Sequence, residues 1–195
     1  MQTKNPSVIA LSTASAASVT GLAFISPVII LIKDYYDVSS NEVQLTITIY
    51  LMAICISQIF WGPLSDLIGR RIVLIIGAGL FSLGGILASL NLAFEVFVFF
   101  RFLQGIGAAA CLSMPRVMLT ESYGVKKAAA KMSTLLAFMA IFPILSAAFG
   151  GYIGENYGWQ INFFTLFLFG GIVFLLNYVY TPETIKNKNK RLTFR

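Results

Sequence analysis

The sequence predicts an all-α integral membrane protein, a six-transmembrane-helix bundle built of two inverted three-helix repeats. Three observations carry that expectation: an apolar composition, six apolar runs of bilayer length, and an internal echo at a shift of 89 residues. Of 195 residues, 57% are hydrophobic and 11% charged, with a mean hydropathy of +0.82. Soluble domains carry about a quarter charged residues, so a chain this poor in charge cannot hide its apolar groups in one aqueous core.

A helical crossing needs about 20 mostly apolar residues. Candidate spans run over about 8–32, 43–61, 72–94, 96–119, 132–153 and 159–180. The transmembrane domain therefore covers 1–181, and 182–195 reads as a basic cytoplasmic tail or the start of an inter-domain linker. The first run is too long for a signal-peptide core and leads straight into further spans, so it reads as the first transmembrane helix.

Lysine and arginine set the orientation. Lys4, Arg70, Arg71, Lys126, Lys127, Lys131 and the tail residues Lys186, Lys188, Lys190, Arg191 and Arg195 fall on one side. The other side has Lys33 alone, with Asp34, Asp37, Glu42, Glu95 and Glu155. The positive-inside rule places both termini in the cytoplasm of a plasma or bacterial inner membrane. The net charge of +6 thus reads as topology and lipid contact rather than nucleic-acid binding, and no nucleic-acid partner is expected.

Histidine is absent, which removes the commonest general base and metal ligand. Cys55 and Cys111 lie inside apolar runs without metal-ligand spacing and read as small buried hydrophobes. No enzyme chemistry, cofactor or metal site is expected.

The stretch Gly62-Pro-Leu-Ser-Asp66-Leu-Ile-Gly69-Arg70-Arg71 reads as a short, close-packed, charged loop between the second and third spans. Its pattern Phe60-x-Gly62-x3-Asp66-x2-Gly69 returns as Phe149-x-Gly151-x3-Glu155-x2-Gly158. Each copy joins the second and third helices of a triplet, on opposite sides of the membrane, as an inverted repeat requires. Gly77, Gly79, Gly84, Gly85, Gly105, Gly107, Gly150 and Gly151 allow close helix approach.

Arg101, inside the fourth span, has Gln104 one turn on and Gly105 and Gly107 beside it. A charge in a span is costly and faces protein or a wet cavity, which favours a substrate- or proton-steering site over snorkelling to the outer surface. Arg116 lies nearer the cytoplasmic end, where snorkelling competes equally. Glu121 at the helix terminus either pairs with Arg70 or Arg71 or is merely solvated. The hydroxyls of the first span (Ser12, Thr13, Ser15, Ser18, Thr20, Ser26) either aid packing or line a cavity. Pro143 with Gly150-Gly151 gives the fifth span a bend and a close-contact face.

Gly62 to Arg71 resembles the loop between helices 2 and 3 of major facilitator superfamily transporters, G-x-L-x-D-x-x-G-R-R. Arg101-Phe-Leu-Gln-Gly-Ile-Gly-Ala-Ala109 resembles that superfamily's helix-4 motif, R-x-x-Q-G-x-G-A-A. Val43-Gln-Leu-Thr and Gln58-x3-Gly-Pro-Leu-Ser-Asp are similar to the bicyclomycin-resistance branch of drug:proton antiporters. The resemblance implies the amino-terminal half of a twelve-helix fold that exports drug-like small molecules by alternating access, with protons as the coupling ion. It implies that Asp66 and Arg70 hold a cytoplasmic gate, with Arg70 meeting an acid at the end of helix 4, the place of Glu121.

Two positions depart from the pattern: Ala23 stands where the branch commonly has an aspartate, and Ala147 stands where it has the proline of P-x-x-G-G. A second six-helix half or a homodimer is the expected partner. The rival reading is a truncated, non-transporting remnant or a scaffold protein.

Overall fold

The computed structural model describes residues 5–185, so Lys4 and the basic tail from Lys186 onward lie outside the described residues. Every regular element among them is helical: α1 (Val8–Ala23), a 3₁₀ turn (Ser26–Val28), α2 (Ile29–Tyr36), α3 (Ser40–Ile68), α4 (Arg70–Ala88), α5 (Phe94–Tyr157) and α6 (Trp159–Tyr180).

Local chemistry explains where these helices start and stop. The Ser7 hydroxyl accepts the Ala10 N–H to open α1. Pro27 has no N–H to return to the preceding turn, so the α-helical ladder gives way to a 3₁₀ turn before resuming as α2. Ser39 and Glu42 form a reciprocal capping box at the start of α3, with bonds of 3.2 and 2.8 Å.

The stretch α1–turn–α2 forms one crossing of 29 residues, Val8–Tyr36. Five helical stretches are long and apolar enough to cross a membrane. The fourth of them, α5, has 64 residues and would be about 96 Å long if straight, against a hydrocarbon core of about 30 Å. It reverses at Gly124, where φ is 71° and ψ 157°. Its arms, 94–123 and 125–157, bring the crossings to six.

Gly62–Ile68 is helix rather than loop: α3 runs on through Pro63 to Ile68, and Gly69 alone separates it from α4. The reason is geometric. Proline's fixed φ fits a helix, and its lost hydrogen bond and its clash with the carbonyl four residues back bend a helix more readily than they end it, while 29 residues give α3 about 43 Å, more than the hydrocarbon needs. Pro115 and Pro143 likewise sit inside α5, whose only non-helical residue is Gly124.

The internal echo has a backbone counterpart. Gly69 (φ 113°, ψ 146°) and Gly158 (φ 92°, ψ 152°) each close one helix and open the next. Gly69 donates its N–H to Ser65 O at 3.0 Å, and Gly158 donates to Gly154 O at 3.1 Å. Side chains rarely tolerate this conformation, and glycine does. The two matched joints therefore share one conformation, each between the second and third crossings of a triplet.

Packing rests on backbone proximity. A Cβ on Gly77 or Gly107 would meet the facing helix, Gly77 against Ala110 and Gly107 against the Phe81 nitrogen and the Gly77 oxygen. Gly84 abuts the Gln104 backbone, Gly85 abuts Phe167, and Gly170 abuts Ser82. Thus α4 is gripped between the first arm of α5 and α6.

Two amides on α6 hold α1. Asn177 donates to Ala10 O at 2.9 Å, and Asn162 donates to Phe24 O at 3.2 Å, beside the break before Pro27. Asn162 also donates to Gly150 O at 2.9 Å. At the end of the bundle near Lys33, an aromatic cluster of Tyr35, Tyr36, Phe94, Phe97, Trp159 and Phe163 joins α2, α5 and α6.

Gly107→Ala adds a methyl against backbone atoms that have nowhere to go, and overpacking of this kind costs about 1–3 kcal/mol. A thermal melt in detergent, followed by circular dichroism, should show a clear loss for Gly107→Ala. It should show none for Gly62→Ala, where nothing lies within 4 Å of the new methyl. Equal melts for the two variants would contradict this packing.

Candidate functional site

Two charged constellations stand out, one inside the bundle and one at its basic end. Arg101 and Gln104, on the first arm of α5, are both completely enclosed. The Arg101 Nη1 donates to Gln104 Oε1 at 2.5 Å. Its guanidinium carbon lies 4.4 Å from the centre of the Tyr50 ring and 5.5 Å from that of Phe163. Desolvated cation–aromatic contacts of this type contribute about 2 kcal/mol or more. With no exposure at all, the side chain does not snorkel to either surface.

The neighbours fix this position. Gly105 allows the arm to approach α3 so closely that a Cβ would lie 2.6 Å from Tyr50 O. Gly84 does the same for Gln104, with a Cβ 2.6 Å from the Gln104 Cβ. The Tyr50 hydroxyl donates to Ser18 O at 2.7 Å and ties the cluster to α1. Arg101 Nε and Nη2 and Gln104 Nε2 have no hydrogen-bond partner. Every unpaired group here is a donor, so the cluster is chemically suited to an acceptor or a negative charge.

At the basic end, Arg70 is the hub. Its Nη2 lies 2.5 Å from Asp66 Oδ1 and 3.2 Å from Glu121 Oε1, and its Nη1 donates to the Ser65 hydroxyl. Arg71 turns away: its Nη2 donates to Tyr178 O at 2.7 Å, and its guanidinium stacks on the Tyr178 ring at 5.4 Å.

Glu183 completes this end, and it was not among the expected site residues. Its Oε1 accepts the Arg70 N–H at 3.0 Å at the start of α4, and its carboxylate fills the space where a Cβ on Gly69 would sit. The next residue, Thr184, donates its hydroxyl to Glu121 Oε2 at 2.6 Å. The arrangement answers a local electrostatic problem, because a helix start is already positive and α4 begins with two arginines. Three carboxylates offset that charge.

The remaining expected residues fall as follows. Gly62 faces open space, and Gly69 needs its positive φ. Gly107 packs on α4, and Gly150 packs on Phe24 at the α1 break, whereas Gly151 makes only an ordinary contact with Pro27. Pro143 lies in the second arm of α5. Arg116 is exposed, with Nη2 3.6 Å from the Met139 sulfur.

Tyr50, Phe163 and Asn162 were also outside the expected set. Polar amides spaced along one face of α6 were a readable sign for Asn162 and Asn177. A lone carboxylate in a basic tail was one for Glu183. Nothing in the sequence marks Tyr50 or Phe163 as neighbours of Arg101.

A cleft of about 310 Å³ lies between α1, the second arm of α5 and α6, lined by Phe24, Phe142, Phe149 and Phe169 with the hydroxyls of Thr20 and Ser146.

Six apolar crossings with a buried cation and an ionic cluster at one end define a multi-pass α-helical membrane protein. The sequence profile of the Major Facilitator Superfamily matches residues 11–194, and the chain belongs to that family. It is 28% identical over 154 residues to a bicyclomycin resistance protein homolog of Haemophilus influenzae, covering 79% of this chain and 39% of that protein. It is 32% identical over 150 residues to the multidrug resistance protein MdtL of Escherichia coli O81, covering 76% of this chain and 38% of that one.

The chain thus spans about two fifths of the length of these curated relatives. Among solved structures it resembles the proton:xylose symporter XylE bound to 6-bromo-6-deoxy-D-glucose, with a TM-score of 0.82 over 91% of this chain and 44% of that one. It also resembles an inward-facing bacterial homolog of the human lysosomal transporter Spinster, with a TM-score of 0.77 over 92% and 43%. Both are 16% identical to this chain, a likeness of fold.

A double-mutant cycle on Arg70→Gln and Glu121→Gln, read by thermal or denaturant stability, should give a coupling of about 0.5–1 kcal/mol at low salt. It should shrink at high salt, because both groups remain partly exposed. Additive effects would show that the two residues do not act on each other.

Proposed function

We propose that this chain is the amino-terminal six-helix domain of a secondary transporter that exports drug-like small molecules by alternating access. The observation that carries the reading is the asymmetry of the bundle's outer surface. The outward residues of α4 and α6 are apolar, including Ile72, Ile76, Leu83, Phe164, Leu168 and Ile172. The outward residues of α3 and the second arm of α5 mix apolar groups such as Ile59, Phe60, Ile141 and Ile144 with the polar Gln44, Thr48, Gln58 and Ser133. Polar side chains are costly against lipid, so this second face is suited to a second bundle or a water-filled path. Rocking one bundle against another around a midplane site is how alternating access operates.

On this reading the basic end is cytoplasmic, in line with the positive-inside rule. Asp66, Arg70 and Glu121 form part of the gate there, and Glu183 joins them by holding the start of α4. Contacts that close this end in one state and part in the other bias the transport cycle. Arg101 and Gln104 supply a fixed positive potential and unpaired donors inside the domain. Drug export as the direction and class of transport is supported by the relatives named for multidrug and bicyclomycin resistance.

Protons are the proposed coupling ion. The carboxylates of the described residues all sit at or near helix ends, so the proton carrier is assigned to the second bundle.

The test is ethidium accumulation in a bacterial strain stripped of its own efflux pumps, expressing the protein as encoded. Accumulation should fall several-fold, rise again with a protonophore, and rise again with Arg101→Ala at equal membrane abundance. Unchanged accumulation with protein present in the membrane would favour a non-transporting scaffold. An Arg101→Ala variant as active as the parent would remove Arg101 from the mechanism.

A further inference from the structure

A cleft of about 600 Å³ opens at the basic end between the start of α1 and the start of the second arm of α5. Val8, Ile9 and Ala130 form its apolar wall, and Lys127, Lys131 and Thr134 its polar wall. The three polar residues fall at i, i+4 and i+7, so one face of the arm presents them together.

Among the described residues, no carboxylate forms an ion pair with Lys126, Lys127 or Lys131. Glu121, the acid nearest to them in the chain, is engaged by Arg70 and Thr184. Their place in the first turns after Gly124 adds to the cost, because a helix start is itself positive. The Thr134 hydroxyl is exposed and, like that of Thr20, makes no bond to a carbonyl of its own helix among the described residues, so it is free to meet a ligand.

The cleft is fixed at its edge. Lys131 Nζ sits 4.5 Å from the centre of the Tyr123 ring, and the Tyr123 hydroxyl donates to Pro6 O at 3.0 Å, next to the start of α1. Both walls lie at the ends of membrane crossings. Val8 is the first residue of α1, and an apolar run begins immediately after Lys131. The cations are therefore at headgroup depth, and Ile9, 63% exposed, faces the adjoining acyl layer.

We infer that this cleft binds one anionic phospholipid, its phosphate between Lys127 and Lys131 and its acyl chain along Val8 and Ile9. The occupant has to be anionic to meet the lysines and amphipathic to meet both walls. A phospholipid of the leaflet at this end satisfies both demands where it already lies. The inference needs only a membrane-spanning chain and stands whether or not the protein transports drugs.

Native mass spectrometry of the purified full chain, titrated with phosphatidylglycerol or phosphatidylcholine, tests it. One phosphatidylglycerol should be retained in preference to phosphatidylcholine. A Lys127→Gln/Lys131→Gln double variant should bind it roughly thirtyfold more weakly, from about one kcal/mol per surface cation. The Lys127→Arg/Lys131→Arg pair should retain binding, as should Lys33→Gln at the opposite end, each with unchanged helical content by circular dichroism. Equal retention of phosphatidylcholine, or undiminished binding by the glutamine pair, would overturn the proposal. Displacement of the lipid by millimolar inorganic phosphate would also overturn it, by pointing to a site for a free anion.

Discussion

In a bilayer, two helices gain little from hiding apolar surface from each other, because lipid tails are as apolar as their side chains. What remains is close van der Waals approach, and in this chain the approach is made through glycine. Gly77, Gly84, Gly105 and Gly107 let α4, α3 and the first arm of α5 come together almost backbone to backbone. The enclosure of Arg101 depends on it. With larger residues at Gly105 or Gly84, the Tyr50 ring and the Gln104 amide would be pushed away, and the guanidinium would lose the aromatic face and the hydrogen-bond acceptor that replace its water.

The membrane character of the fold was legible at once, since 57% hydrophobic against 11% charged residues leaves no aqueous alternative. The repeat was legible from four matched positions, and its two glycine joints, Gly69 and Gly158, adopt one backbone conformation, which Gly124 also uses to reverse α5. The end of the second helix was not. Hydropathy reports where the hydrocarbon stops, whereas hydrogen bonding carries α3 onward through Gly62 and Pro63 to Ile68. The reversal at Gly124 is another case, because a single residue turns the chain where the polar composition suggests a loop.

For the candidate site, the sequence indicated positions but not surroundings. A charge in an apolar run marks Arg101, yet its two aromatic partners come from α3 and α6, and no spacing rule links them. Glu121 could be offered as a partner of Arg70 or Arg71 from charge placement alone, but across 51 residues only the family resemblance singled out Arg70. Glu183, 113 residues from Arg70, follows the last crossing and looks like part of a solvated tail. Its place at the start of α4 follows from electrostatics, since two arginines at a positive helix end require anions nearby.

The proposed function depends on the partly polar lateral face being covered, and the thiol of Cys55, expected from the sequence to be buried, is exposed on that side of the bundle, midway along α3. Cys111 is buried, so a thiol-reactive spin label should select Cys55. Oxygen accessibility of that label, in membranes carrying the protein as encoded, can be compared with a label at Leu168→Cys on the apolar face of α6. The account predicts that Cys55 is shielded from lipid-dissolved oxygen while position 168 is open to it. Equal access at the two positions would place lipid against both faces and contradict the second bundle on which alternating access rests.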